Sequence, residues 1–250
     1  MAVLWIAVGA VLVALVGAVA YWLLVITEGT YLGTSAVILM YDWAARRYDK
    51  IKDLRYINEV YYVGLPICSS LHGMGAPRIL DVATGTGRVP LAIRRAGNDG
   101  AYIIGVDRSR QMLAEAQAAA AEFRGRIAWL RADAVALPFD NAVFDAVTCL
   151  EALEFVVAPD RALREMVRVL KPGGVLWLSN RVGWEARLFP GRLAGRGRLE
   201  VRLREMGLRD IDTKRWQIHY DLVHARKPIA LQQPERVGAR FIQSQERINP

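Results

Sequence analysis

The sequence predicts an α/β fold, a mainly parallel sheet with helices on both faces, preceded by one apolar helix long enough to cross a membrane. Three observations predict it. Met1 to Thr27 carries no charged residue, and Val3 to Ile26 is a 24-residue apolar run. Beyond Pro77, short apolar runs alternate with helical patterns, as strand-helix crossovers of a parallel sheet require. The first of those runs, ILDVATGTGR from Ile79 to Arg88, ends in an acid and a turn with two glycines, a form suited to a strand feeding a helix whose N-terminus meets a ligand. A chain of 250 residues holds one such domain and an appendage, but not a second catalytic domain.

At about 1.5 Å per residue, the apolar run crosses a hydrocarbon core of roughly 30 Å. Trp5 lies near one end and Tyr21 and Trp22 near the other, where amphipathic rings favour the interface. A cleaved signal peptide is the competing reading, since Ala18-Val19-Ala20 resembles a cleavage site. Against it, no Lys or Arg precedes the run and the run is too long for a signal core. The first basic residues, Arg46, Arg47, Lys50, Lys52 and Arg55, all follow the span, so the body is expected in the cytoplasm as part of a single-pass membrane protein. Thr30 to Tyr41 is apolar but too short to cross, and suits an interfacial or core-packed helix. Trp43, Tyr48, Ile51, Leu54, Ile57, Val60 and Tyr61 then recur at helical spacing. They predict an amphipathic helix or pair of helices that either covers the glycine turn or packs on the sheet. The expected division is an anchor over 1–28, a helical linker or cover over 29–75, the α/β body over 76–228 and a peripheral tail over 229–250.

In the body, strands are expected at Arg78–Val82, Ala101–Asp107, Ile127–Ala132, Val143–Leu150 and Val175–Ser179. Helices are expected at Arg88–Arg95, ended by Gly97; at Arg110–Phe123, capped by Ser109 and stopped at Gly125; and at Asp160–Leu170, opened by Pro159. Lys171-Pro172-Gly173-Gly174 would close the last of these. Asp81, Asp107 and Asp133 each fall at or just past a strand end, on the edge where ligands collect in such sheets. Asp107 is 22 residues after Gly85, about the offset at which a carboxylate accepts both hydroxyls of a ribose. Asp133, followed by the small Ala134 and Ala136, could accept from an exocyclic amine. Taken singly each acid could be a solvated loop residue or a helix cap; all three together point to a nucleoside ligand. The dinucleotide fingerprint wants a third glycine three residues after the second, and Pro90 stands there, which weakens an NAD reading.

ILDVATGTGR, GVDRS, RADAVALPFDNAVFDAVTCLEALEF and LREMVRVLKPGGVLWLS, in that order and spacing, resemble the motifs of the class I S-adenosylmethionine-dependent methyltransferases. Within them the chain is similar to the quinone-biosynthesis (UbiE-like) branch, over about residues 40–228. The resemblance implies a Rossmann-like three-layer sandwich with a seven-stranded sheet ending in an antiparallel hairpin, which Asp210–His219 and Tyr220–Arg226 would supply. It implies S-adenosyl-L-methionine as cofactor. Asp81, Gly85 and Gly87 would surround its methionine part, Asp107 its ribose, and Asp133 with Ala134 its adenine, with Ala83, Thr84, Thr86 and Arg108 also binding the cofactor. Met112 would pack on the cofactor, and Leu150 would border the sulfonium.

The residues single out no general base. His219 and Tyr220 could lie near the pocket, and Glu151 or Glu154 at its mouth. The two cysteines, Cys68 and Cys149, have no CxxC spacing and no His cluster beside them, so neither a disulfide framework nor a metal is expected. The net charge of +8 and pI near 9.8 point to an acidic partner, nucleic acid or an anionic membrane. Residues 181–209 hold eight Arg against three Glu. With only five Lys in the chain, this excess reads equally as a general preference for Arg. The expected acceptor is a small, lipophilic molecule, a prenylquinone precursor or a lipid, reached from a membrane whose anionic lipids the 181–209 segment contacts. Nucleic acid is not expected, because that segment lacks the interleaved aromatics of a stacking platform. An RNA methyltransferase and a membrane-tethered, non-catalytic cofactor-binding module are the alternatives.

Overall fold

A computed structural model describes residues 1–52, 56–123, 125–189, 193 and 195–229. Leu54, Arg55, Arg192 and residues 230–250, nearly all of the expected tail, lie outside the described residues.

Helix α1 (Ala2–Tyr21) runs through a π-helical turn (Trp22–Ile26) as one apolar span of 25 residues, none of it buried. Burial begins at Thr27. Helix α2 (Thr34–Ala44) takes up the short apolar stretch, while α3 (Tyr48–Ile51), α4 (Tyr56–Glu59) and α5 (Leu65–Ser70) replace the one or two longer helices read from the sequence. Their apolar stripe also differs from expectation, since Trp43, Ile51, Ile57 and Tyr61 are exposed. The buried positions are instead Val37, Ala45, Val63 and Ile67.

The body follows the predicted alternation: β1 (Arg78–Val82), α6 (Arg88–Arg95), β2 (Tyr102–Asp107), α7 (Arg110–Ala119), β3 (Ile127–Arg131), β4 (Phe144–Cys149), α8 (Pro159–Val169) and β5 (Leu170–Arg181). Helix α9 (Arg198–Glu205) then leads to the hairpin of β6 (Arg209–Arg215) and β7 (Tyr220–Arg226). The seven strands lie in the order β3-β2-β1-β4-β5-β7-β6, with β7 antiparallel to both of its neighbours. Successive side chains point to opposite faces, so Leu80 and Val82 join the core under α8 and α9 while Ile79 joins the core under α5 and α6. On α8 the buried stripe is Ala162, Leu163, Met166 and Val169; burying a side chain such as Leu163 is worth about 1.5–3 kcal/mol.

Lys171 to Gly174 departs from expectation. The chain passes straight from α8 into β5, and these residues run within the strand, with Gly173 at φ +80°. At the end of α8, Lys227 Nζ donates to Val167 O (2.6 Å) and to Leu170 O (2.7 Å) at the start of β5, while Ala142 N and Val143 N donate to Arg168 O (3.0 Å) and Val169 O (2.8 Å). A cap from about 60 residues downstream takes the place of the local glycine stop.

Candidate active site

The turn after β1 holds three residues at positive φ, Ala83 (+55°), Gly85 (+53°) and Gly87 (+85°), which folds the backbone tightly before α6. Just ahead of it Asp81 is buried and accepts from Thr84 Oγ1 (2.6 Å) and Thr148 Oγ1 (2.5 Å). Burial pushes its carboxyl up to about 7, against the pull of those two hydroxyls. At the end of β2, Asp107 accepts from Gly85 N (2.9 Å) and Ser109 N (2.8 Å), and burial raises its pKa as well. Past β3, Asp133 accepts from Val135 N (3.2 Å) and pairs with Arg108 (3.1 Å). Past β4 come Leu150 and Glu151, the latter at φ +51°.

Because β3, β2, β1 and β4 are neighbours, Asp133, Asp107, the glycine turn and Glu151 form one line across the sheet edge. Adjacent strands are about 4.8 Å apart, so the line is about 14 Å long. Above it lies a cavity of about 400 Å³, within the range of small-molecule sites. Asp81, Ala83, Thr84, Gly85, Thr86, Asp107, Arg108, Asp133, Ala134, Leu150 and Glu151 all line it.

Its other wall comes from the segment that follows the apolar span. Val37, Ile38, Tyr41 and Tyr48 line the cavity, and Val37, Phe155, Phe189 and Tyr41 pack into a small apolar cluster beside it. Two carboxylates hold this cover down. Asp42 accepts from the Ser109 hydroxyl and from Gln111 N, and Asp49 accepts from Thr86 Oγ1 at 2.6 Å. Burial raises the Tyr41 hydroxyl well above its ordinary pKa, and it stays a neutral donor to Glu28 (2.7 Å).

Four sequence expectations need correction. Gly87 does not line the cavity: a Cβ there would lie 2.8 Å from the Trp129 ring, so this glycine makes room for a neighbour of its own sheet. Met112 is buried but is not part of the cavity wall. It sits in the first turn of α7, its amide capped by Ser109 Oγ (3.0 Å). His219 is exposed in the β6–β7 turn, away from the cavity. Tyr220 is buried one strand further on, where it donates to Glu154 and lies near Arg181. Of the four candidate proton-handling groups only Glu151 lines the cavity; Glu154 is buried as the acceptor of Tyr220.

Sequence reading missed Arg88. It starts α6, where the helix dipole disfavours a cation, and that misplacement signals compensating partners. Its guanidinium forks onto Glu59 (2.7 and 3.0 Å) and donates to Glu151 Oε1 (2.5 Å), over the ring of Trp216 at 4.6 Å.

Residues 80–178 match the family model described as a methyltransferase domain. Residues 80–178 are thus a methyltransferase domain. Curated relatives of the chain include the demethylmenaquinone methyltransferase of Clavibacter sepedonicus, 35% identical over 55% of each chain. The UbiE ubiquinone/menaquinone biosynthesis C-methyltransferase of Geobacter sulfurreducens is 44% identical over 39% of each. The chain thus spans about half the length, or less, of these relatives. Among solved structures, the [4+2]-cyclase SpnF superposes with a TM-score of 0.56 at 23% identity, over 76% of this chain and 97% of that one. That likeness speaks for the fold alone.

The cavity fits the cofactor of such a domain. Its floor is an acidic row suited to a ligand that carries a sulfonium and an ammonium, and Gly85 leaves open space where a Cβ would point. S-adenosylmethionine supplies a methyl group on a positive sulfur, already activated for displacement. The domain's part is to bind that group, aim an acceptor along the line of displacement and keep water out.

Proposed function

We propose that this protein is a membrane-anchored methyltransferase that places the methyl group of S-adenosylmethionine on a ring carbon of a lipophilic, quinone-type acceptor. In this reading Asp133 and Ala134 hold the adenine, Asp107 the ribose hydroxyls, and Asp81, Thr84 and Gly85 the methionine part. The reacting methyl then faces Leu150 and Glu151, the next position along the strand order. A positive sulfur is attacked only by an electron-rich atom, so the acceptor ring carries an electron-donating hydroxyl when it reacts.

The observation that carries this reading is the continuity of the apolar span with the cavity wall. Seven residues separate Ile26 from Thr34, and α2 then lines the cavity with Val37, Ile38 and Tyr41. Tyr31 Oη ties the intervening turn to Leu188 O at 2.7 Å. Leu39 and Trp43, on the same helix, are 70% and 82% exposed, as interfacial residues would be. An acceptor dissolved in the bilayer would therefore meet the cavity at its covered side. The basic residues after the span favour a cytoplasmic body.

Anionic lipid is a weaker part of the proposal. Within 181–209, Arg181, Arg196 and Arg202 pair with Glu154, Asp221 and Asp160. Arg187, Arg198, Arg204 and Arg209 are exposed and remain for a lipid surface at about 1 kcal/mol each.

The test is transfer of labelled methyl from S-adenosylmethionine into a lipid extract and into RNA, by the full chain and by a chain lacking residues 1–27. Label in prenylated quinone from the full chain, lost or sharply reduced in the soluble truncation, is the expected result. Label in RNA, or equal turnover of membrane-embedded acceptor by both proteins, overturns the proposal.

A further inference from the structure

Four carboxylates line the cavity, and three of them are fully engaged. Asp81 receives a hydroxyl on each oxygen, Asp107 a backbone amide on each, and Asp133 an amide and a guanidinium. Glu151 differs. Arg88 Nη1 (2.5 Å) and Gln217 Nε2 (2.9 Å) both donate to its Oε1, and among the described residues Oε2 receives no hydrogen bond. The side chain is nonetheless only 8% exposed. Glu151 lines the cavity, so this open oxygen is free to take a donor from a ligand bound there.

The backbone is held for the purpose. Glu151 sits at φ +51°, where a residue other than glycine is strained by about 1–3 kcal/mol unless its surroundings fix it. Ser179 Oγ accepts from its amide at 2.5 Å, and Arg88, itself forked onto Glu59, fixes its carboxylate from the other side.

We propose that Glu151 is the acceptor-recognising residue, its Oε2 taking a hydrogen bond from a hydroxyl of the aromatic acceptor and receiving that proton as the methyl group is transferred. The identity of the acceptor as a hydroxylated ring rests on the function proposed above. As the new carbon–methyl bond forms, the sulfur–methyl bond breaks and its electron pair stays on sulfur, leaving a neutral thioether. The ring hydroxyl becomes acidic as its electrons move toward the ring, and its proton passes to Glu151. The methylated carbon then loses its hydrogen to water, and the ring oxygen recovers the proton from Glu151, which restores the aromatic hydroxyl. One proton is released overall. Glu59, on the far side of Arg88 and outside the cavity wall, meets no part of the acceptor.

The experiment uses the full chain in detergent with S-adenosylhomocysteine bound, and compares affinity for 1,4-naphthohydroquinone with that for its dimethyl ether, kept anaerobic. Wild type is expected to favour the hydroquinone by roughly tenfold or more, and Glu151→Ala to bring the ratio near one. Glu59→Ala removes the other carboxylate from Arg88 and keeps the preference. Turnover of a prenylated naphthohydroquinone by Glu151→Gln should fall on the order of 10²-fold in kcat with little change in KM. Unchanged homocysteine-cofactor affinity shows that each variant is folded, and Glu151→Gln, nearly isosteric, carries the test if Glu151→Ala is not. The inference is overturned if wild type binds neither probe or does not discriminate, if Glu151→Ala keeps the preference, or if Glu59→Ala loses it equally. Absence of methyl transfer by wild type, with the binding preference intact and dependent on Glu151, sinks the proposed function and leaves the recognition role standing.

Discussion

The two glycines of the turn after β1 are small for different reasons, and alanine substitution should separate them. At Gly87 (φ +85°) a Cβ would meet Trp129 Cη2 at 2.8 Å and the Ala116 Cβ at 3.3 Å. Left-handed backbone costs a side chain about 1–2 kcal/mol, and overpacking adds about 1–3 kcal/mol. Gly87→Ala should therefore lose about 3 kcal/mol of stability, which for a chain of this size lowers Tm by about 6–12 °C. At Gly85 (φ +53°) a Cβ meets nothing within 4 Å, so only the backbone term of about 1–2 kcal/mol applies. Because Gly85 lines the cavity, its new methyl occupies cofactor space, and affinity for S-adenosylhomocysteine should fall about tenfold or more. Urea unfolding and calorimetric titration of both variants measure the two effects. Replacing Trp129 by Leu in the Gly87→Ala background should return part of the lost stability, a coupling of about 0.5–3 kcal/mol in a double-mutant cycle. Equal destabilisation and equal affinity loss in the two single variants, or no coupling to Trp129, would refute the reasoning.

Asp81 makes stability depend on pH. Its pKa rises from 3.8 to about 7 on folding, so the contribution of its protonated form is complete below about pH 4 and is lost as pH rises through 7. The loss is up to about 4 kcal/mol. Asp81→Asn should flatten this slope, with urea midpoints at pH 5 and pH 8 lying closer together than in wild type. Asp107 aligns two backbone amides, and Asp107→Ala should weaken S-adenosylhomocysteine binding by at least tenfold, about 1.5–3 kcal/mol by titration. Asp42→Ala with Asp49→Ala removes both acceptors and releases these ties of the cover to Ser109 and Thr86. Amide exchange over residues 34–52 should then accelerate while that of β1 and β4 is unchanged.

The body was legible because its signals are local. Apolar runs, the capping Ser109, Pro159 and three acids at strand ends can each be read within a few residues, and Tyr220–Arg226 emerged as the strand expected. The misreadings share a cause, which is that the deciding partner is remote in sequence. Lys171 to Gly174 reads as a helix stop until Lys227 is seen to cap α8 from the end of the sheet. Gly87 reads as a ligand glycine until Trp129, 42 residues on, is found under it. The apolar stripe from Trp43 to Tyr61 reads as a cover or a sheet-packing face, yet Trp43, Ile51, Ile57 and Tyr61 are exposed while Tyr48 lines the cavity, because an exposed apolar face and a core face share one period. Met112, His219 and Tyr220 were assigned by proximity to motifs, and proximity along the chain does not fix which wall a side chain joins.

Strand order turns the scattered site residues into an ordered row. Neighbours β3, β2, β1 and β4 deliver their loops side by side, so a ligand with three chemically distinct parts can be read by three successive strand ends. The fourth position is then left for whatever that ligand reacts with. The row has one face, and an exposed row would admit water to the reacting centre. Closure comes from Val37, Ile38, Tyr41 and Tyr48, on a segment bound by Asp42 and Asp49 to the same loops that form the row. Because that segment continues from the apolar span, in the proposed membrane-anchored state any tilt or depth imposed on the span acts on the cover first. In this arrangement, access of the acceptor and exclusion of water depend on the same short helix.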